Sequence, residues 1–222
     1  MDRKDRAAVY RWDRIVSLDL FFKGAVYMVD FIEYSKGGSI EVIVGPMYAG
    51  KSEELMRRVN RCRIANLKVL SFKPAIDNRY STNHITSHSG KQMECIPVSS
   101  PEEILGHLEN KDFDVLAIDE VQFLGEDIVK ICKDAADMGK RVICSGLDMD
   151  FRGEPFQVVP NLMAIAEYVT KLTAVCMKCK VPATRTQRIV NGKPAKYDDP
   201  IIMVGAKESY EARCRACHEV IK

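Results

Sequence analysis

A chain of 222 residues with 46% hydrophobic content can bury one sizeable core, or one core with a small satellite. Its formal net charge of +2 gives no bulk attraction to nucleic acid or to an anionic membrane. No run approaches the ~20 apolar residues of a membrane span, and the most apolar early stretch, SLDLFFKGAVYMVDFI, is broken by Asp19, Lys23 and Asp30 and lacks the small-residue cleavage site of a secretory signal.

Residues 1–39 carry no motif, and SKGG closes them as a flexible joint. They read as an N-terminal extension, either an accessory tail or a helix that docks a partner or a surface. After them the chain alternates. IEVIVG is a β-branched strand leading into a Gly-rich loop. KSEELMRRVNRCRIA places Leu55, Met56, Val59 and Cys62 at helical spacing. KVLSFK is a strand. SSPEEILGHL opens a helix, with Ser100 as N-cap, Pro101 in the first turn and Glu103 completing a capping box. FDVLAID is a continuous apolar strand ending in acid, EDIVKICKDAADMG is a helix that stops at Gly139, and RVICSGL is another buried strand. This alternation predicts an α/β fold with a parallel sheet covered on both faces. Ligands of such sheets sit at the carboxyl ends of the strands, so the loops after IEVIV and VLAI converge on one edge.

Gly45-Pro46-Met47-Tyr48-Ala49-Gly50-Lys51-Ser52 is a phosphate-cradling pattern between a strand and a helix. Gly45 and Gly50 let backbone N–H groups approach phosphate oxygens, and the helix adds the positive end of its dipole. Lys51 supplies a compact cation and Ser52 a hydroxyl for Mg²⁺. In VLAIDEVQF, Asp119 is placed to hold the metal, and Glu120 either activates water or takes the proton of an attacking hydroxyl. Water exclusion separates these two. Phe123, Leu147, Phe151 and Phe156 lie on loops at the same edge. Singly, each ring is better explained as a roof over the core; together they suggest an enclosed pocket that stacks a flat base.

Cys62, Cys95, Cys132 and Cys144 stand singly, as small apolar residues do in a reduced protein. Cys176, Cys179, Cys214 and Cys217 form two C-x-x-C pairs, a four-thiolate zinc site of structural type. A reducing compartment, the cytoplasm, follows. The long spacer between the pairs makes the metal tie the feet of a large loop, used as a lid or binding element. QRIVNGKPAKY reads as a hairpin at Asn191-Gly192, and DDPIIMVG as an extended run able to lie along a ligand. His218 is by default a surface histidine.

GPMYAGKSEELMRR, DNRYS, IDEVQF, GLDMDFRGEPF, KLTAVCMKC and GAKESYEARCRAC resemble, in order, the motifs of the type II (cellular thymidine kinase-like) thymidine kinases, from about Ile40 to the C-terminus. The resemblance implies a RecA-like P-loop domain with a central parallel sheet at 40–173, and a small zinc-binding domain carrying a lasso loop at 174–222. It implies transfer of the γ-phosphoryl of ATP, with Mg²⁺, to the 5′-hydroxyl of thymidine or deoxyuridine in nucleotide salvage. ATP and phosphate contacts carry over to Gly45, Met47, Tyr48, Ala49, Gly50, Lys51, Ser52, Asp119 and Gln122, with Ser52 and Asp119 on the Mg²⁺. Glu120 looks like the base, and Arg79 a group that neutralises the moving phosphoryl. Asp77 lies near the transfer site. Met47, Phe123, Leu147, Phe151, Phe156, Thr186 and Tyr210 enclose the nucleoside, and the main chain around Met203 and Val204 reads the base. A homotetramer and feedback inhibition by thymidine triphosphate are implied by the resemblance alone. The extension has no place in the family pattern. The sequence stops five residues after Cys217, so the regulatory C-terminal extensions of some animal members have no expected counterpart.

The competing reading is a zinc-ribbon ATPase that works on nucleic acid and uses Glu120 on water; it calls for a basic face, which the near-neutral charge disfavours. A nucleotide-binding regulator without turnover would lack a catalytic acid, and Glu120 is present.

Overall fold

The structure, a computed structural model, describes residues 37–75, 83–86, 90–201 and 208–222. Most of the N-terminal extension therefore lies outside the described residues, as do Asp77, Arg79, Met203 and Val204. Residues Tyr34–Lys222 belong to one compact unit.

In chain order the first elements are β1 (Ser39–Val44), α1 (Lys51–Ile64), β2 (Val69–Pro74), β3 (His84–Thr86), β4 (Gln92–Glu94), β5 (Ile96–Val98), α2 (Pro101–Asn110), β6 (Val115–Ile118), α3 (Asp127–Asp137), β7 (Arg141–Gly146), α4 (Val159–Ile165) and β8 (Tyr168–Lys171). Six of the strands form one sheet in the order β5-β2-β6-β7-β1-β8, with parallel pairing throughout. Alternate strand residues feed two cores. Val42, Val44, Leu116, Ile118, Val142 and Cys144 pack under α2, α3 and α4. Ile43, Val115, Ala117 and Ile143 pack under α1 and the β3–β4 hairpin. The sheet is thus covered on both faces, as the unbroken apolar runs predict.

The elements that the sequence pattern does not reveal are the short ones at the margins. β5 is three residues long and contains Pro97, which suits an edge strand. β8 is the other edge; Tyr168 and Val169 are exposed, so no apolar run marks it. α4 spans seven residues, and β3–β4 pairs only three positions.

Helix ends follow local chemistry, with one departure. α3 stops as expected: Gly139 adopts φ 79°, and its N–H bonds the Ala136 carbonyl at 2.8 Å. α2 does start after an extended Ser100 with Pro101 in its first turn, but the capping box does not form. The Ser100 hydroxyl bonds Glu102 instead. Glu103 Oε2 accepts from the Ser99 N–H at 2.9 Å, one residue upstream of the position expected. Gly38 corrects the reading of SKGG as a joint that is flexible throughout. A Cβ there would lie 2.2 Å from the Ala136 carbonyl oxygen, so the glycine is required by close packing against the end of α3.

A charged cluster sits inside the sheet. Glu41, fully buried in β1, accepts from Arg58 Nη1 of α1 at 2.7 Å and Arg141 Nε of β7 at 2.5 Å. Arg58 Nη2 also donates to Thr170 Oγ1 of β8 at 2.9 Å. Removing one partner of such a set strands a buried charge, so it fixes where α1 lies over three strands. Among the described residues no helix is long and apolar enough to cross a membrane.

Candidate active site

Because the strands run parallel, the loops leaving β1, β6 and β7 meet on one edge of the sheet. At Gly45 (φ 146°) a Cβ would lie 2.5 Å from the Leu172 carbonyl oxygen, so the loop needs a glycine where it passes the end of β8. Gly50 takes the left-handed conformation that turns the chain into α1, whose first turn opens toward the cleft. Lys51 Nζ arches over the loop and donates to the Pro46 carbonyl at 2.8 Å. Burial lowers the Lys51 pKa, opposed by the nearby charges of Asp119, Glu120 and Asp148.

The acid strand docks directly on this loop. Ser52 Oγ donates to Asp119 Oδ2 at 2.9 Å, and the Ser145 hydroxyl at the end of β7 donates to the other Asp119 oxygen. The Asp119 N–H bonds the Phe72 carbonyl of β2 at 3.0 Å. A hydroxyl and a carboxylate held together at the start of a helix fit a Mg²⁺ that takes its remaining ligands from water and phosphate. Ser145 escapes a reading of motifs; its signal is a lone hydroxyl after the apolar run VIC in the strand RVICSG.

Glu120 follows in a left-handed conformation (φ 50°, ψ 41°), unusual for a residue with a side chain and of order 1–3 kcal/mol in strain. It opens the 3-10 turn Val121–Phe123. Protein around its carboxyl raises its pKa to about 7, helped by the Asp119 charge and resisted by Lys51 and Lys73. The residue also has a solvent-exposed side, so water weakens that push until a ligand covers the cleft.

The expected pocket residues fall into two groups. Phe123 is half-buried and packs edge-to-face on Phe156, with centroids 5.8 Å apart at 86°. Leu147 is half-buried where β7 ends. Gln122 lies behind it: buried, its Oε1 accepts from the Leu147 N–H at 3.1 Å, so it braces the wall from outside the phosphate loop. Phe151 and Phe156 are each 4% exposed, so neither offers an open face. The guanidinium carbons of Arg152 and Arg188 lie 5.4 and 5.0 Å from the Phe151 ring centroid. Asp150 frames this loop, its Oδ1 accepting from the N–H groups of Arg152 (2.8 Å) and Glu154 (3.1 Å). Asp148 pairs with Lys171 at 2.6 Å.

The cysteine module adds β9 (Ala174–Val175), β10 (Pro182–Ala183), β11 (Arg185–Val190), β12 (Lys193–Pro194) and β13 (Glu208–Arg213). The hairpin at Asn191-Gly192 forms between β11 and β12, both turn residues at positive φ. The Sγ atoms of Cys176, Cys179, Cys214 and Cys217 all lie within 4.8 Å of one another. Zn–S bonds of ~2.3 Å put tetrahedral sulfurs about 3.8 Å apart, so the four thiols fit a structural zinc ion. All eight cysteines are free of disulfides.

The module grips the phosphate loop. Thr186, buried on β11, accepts the Met47 N–H on its Oγ1 at 3.1 Å. Ala49 packs on the small core around Cys176 and Cys214. Tyr48 is exposed, and Tyr210 is half-buried on β13 opposite Arg188. His218 is not the surface residue expected. Half-buried, it bonds the Phe151 carbonyl through Nε2 at 2.8 Å, and burial lowers its pKa. Its sequence signal was masked by Cys217 beside it. A comparison with family models returns one described as Thymidine kinase, matched over residues 38–218.

Proposed function

The chain belongs to the thymidine kinase family, and from that premise we propose that it transfers the γ-phosphoryl of ATP to the 5′-hydroxyl of thymidine or deoxyuridine, a salvage step in deoxynucleotide supply. The observation that carries this is the Ser52–Asp119 hydrogen bond at 2.9 Å, which sets Glu120, the next residue, beside the phosphate loop. In this reading N–H groups of the stretch from Tyr48 to Ser52 would hold the triphosphate with Lys51, the Met47 N–H being donated to Thr186 Oγ1, and Ser52 and Asp119 would hold Mg²⁺. The ion would neutralise charge on the phosphates. Glu120 takes the hydroxyl proton as the oxygen attacks in line, and a pKa near 7 suits that task. Positioning and electrostatics supply most of the rate.

On the acceptor side Met47, Leu147, Phe123, Thr186 and Tyr210 enclose the nucleoside. The main chain at 203–204 reads the pyrimidine edge, and Asp77 and Arg79 serve the transfer site. Phe151 and Phe156, both buried, shape that wall from beneath. Assembly as a homotetramer, inhibition by thymidine triphosphate and a cytoplasmic address complete the proposal on the family resemblance.

The test is a panel of nucleosides with purified protein and Mg-ATP. Thymidine or deoxyuridine monophosphate should form with equal ADP. ATP consumption stimulated by DNA but not by thymidine would replace the proposal with a nucleic-acid ATPase.

A further inference from the structure

β6 and β7 send Val115, Ala117 and Ile143 into the core under α1. Alternation continues that face to Asp119 on one strand and to Ser145 on the other. The ladder between them ends at Ile118↔Cys144, so Asp119 and Ser145 stand side by side one residue further on. Ser145 is also paired with Ile43 of β1 and is fully buried. Its hydroxyl donates to Asp119 Oδ1, while Oδ2 accepts from Ser52 Oγ at 2.9 Å. The Asp119 N–H is held by the Phe72 carbonyl at 3.0 Å.

The two serines are not equivalent. Ser52 is half-buried in the first turn of α1, at the cleft. Ser145 lies wholly inside the sheet, so it meets no ligand directly. A buried hydroxyl is costly without a partner, and its bond to a carboxylate is stronger than a bond to a neutral acceptor. Asp119 is itself buried. With a different donor on each oxygen, its carboxylate cannot rotate without breaking a hydrogen bond. Oδ2 is the oxygen left toward the phosphate loop, and Oδ1 is held back by the strand.

Mg²⁺ and Ca²⁺ ask different things of a carboxylate. Mg²⁺ is small, keeps several waters and demands near-octahedral ligands, whereas Ca²⁺ is larger, tolerates irregular geometry and readily takes both oxygens of one carboxylate. We propose that Ser145 reserves Oδ1 of Asp119 and thereby makes the site prefer Mg²⁺ over Ca²⁺. It is a positioning residue, acting on the ion through Asp119. The inference rests on the assignment of Ser52 and Asp119 to Mg²⁺ in the proposed function.

The test uses the full chain with Ser145→Ala, and with Ser145→Cys as a second variant of similar volume whose thiol donates only weakly. Each is checked for bound zinc and melting temperature. Mn²⁺ bound in the presence of saturating ADP is counted by electron paramagnetic resonance and displaced with Mg²⁺ or with Ca²⁺. Free ADP binds each ion equally well whichever variant is present, so a change between variants belongs to the protein. In Ser145→Ala the Mg²⁺ affinity should fall roughly 10-fold, the low end for loss of a residue behind a metal ligand, and the Ca²⁺ affinity should hold. The Mg²⁺ concentration for half-maximal turnover should rise by the same factor, while KM for thymidine stays within about 2-fold. Ser145→Cys should follow Ser145→Ala. An unchanged ratio of Mg²⁺ to Ca²⁺ affinity, or an equal loss of both, would overturn the proposal, and so would a wild type that holds no Mn²⁺ with ADP. The metal arm needs no nucleoside: the expected shift in a protein whose wild type phosphorylates no nucleoside refutes the function and leaves the role of Ser145 intact.

Discussion

On the side of the cleft that the proposal gives to the triphosphate, the converging groups stand at the ends of neighbouring buried strands. Asp119 follows β6 and Ser145 closes β7, whose ladder is unbroken from Val115↔Arg141 to Ile118↔Cys144, and the loop that carries Lys51 and Ser52 leaves β1 on β7's other side. On the side that the proposal gives to the nucleoside, no ladder does this work. Thr186 reaches Met47 across 139 residues of sequence by one hydrogen bond. His218 reaches Phe151 in the same way, and Arg152 and Arg188 hold the Asp199 and Pro200 carbonyls. A ladder spreads positional error over many bonds, whereas single long-range contacts concentrate it. The phosphate side should therefore tolerate substitution around it, and the acceptor side should lose geometry one contact at a time.

The largest expected effect lies on the phosphate side. Glu120→Gln keeps the shape and removes the base, so kcat should fall by roughly 10³-fold, within the usual range for a general base. The dissociation constant for thymidine, measured by titration calorimetry, should move little. Wild-type turnover in this variant would take Glu120 out of the chemistry.

Zinc removal comes next and separates the two sides. Stripping the Cys176–Cys217 cluster with a chelator should weaken thymidine binding by on the order of 10-fold or more before the sheet melts. The order is read by proteolysis within the cysteine module against far-ultraviolet dichroism. Simultaneous loss of both signals would mean that the module and the sheet fold as one cooperative block.

Thr186→Val deletes the acceptor for the Met47 N–H and keeps the volume. A part-buried hydrogen bond of this kind contributes about 1 kcal/mol, so KM should rise roughly 5-fold. Because Met47 sits in the phosphate loop, ATP and thymidine should both be affected.

The smallest effect is on stability. Between its ordinary value of 4.5 and its folded value of about 7, Glu120 holds a proton when folded that it has lost when unfolded. Its contribution therefore favours the fold at low pH and is lost as pH rises through 7. Glu120→Gln should melt higher than the wild type at pH 8, by on the order of 1–2 °C given the exposed side of the residue, and no higher at pH 4. A variant that melts lower at pH 8 would show that Glu120 gains more from Lys51 and Lys73 than burial takes away. The same ionisation should make kcat/KM for thymidine climb to a plateau just above pH 7.

Local pattern alone determined much of this protein. Apolar, β-branched stretches marked β1, β6 and β7 because strands buried on both faces are mostly apolar, and helical spacing marked α1 and α3. The phosphate loop, the acid pair and the four cysteines were legible because each is a short motif whose spacing is its geometry. Tertiary structure decided the rest. Glu41 hides a charge in a strand that reads as apolar, since its partners Arg58 and Arg141 come from other elements. Phe151 reads as a stacking face and is instead covered by arginines one and thirty-seven positions away. His218 reads as solvent-facing and instead holds a distant carbonyl. A side chain's role in such contacts depends on which remote segment arrives beside it, and only packing of the whole chain settles that.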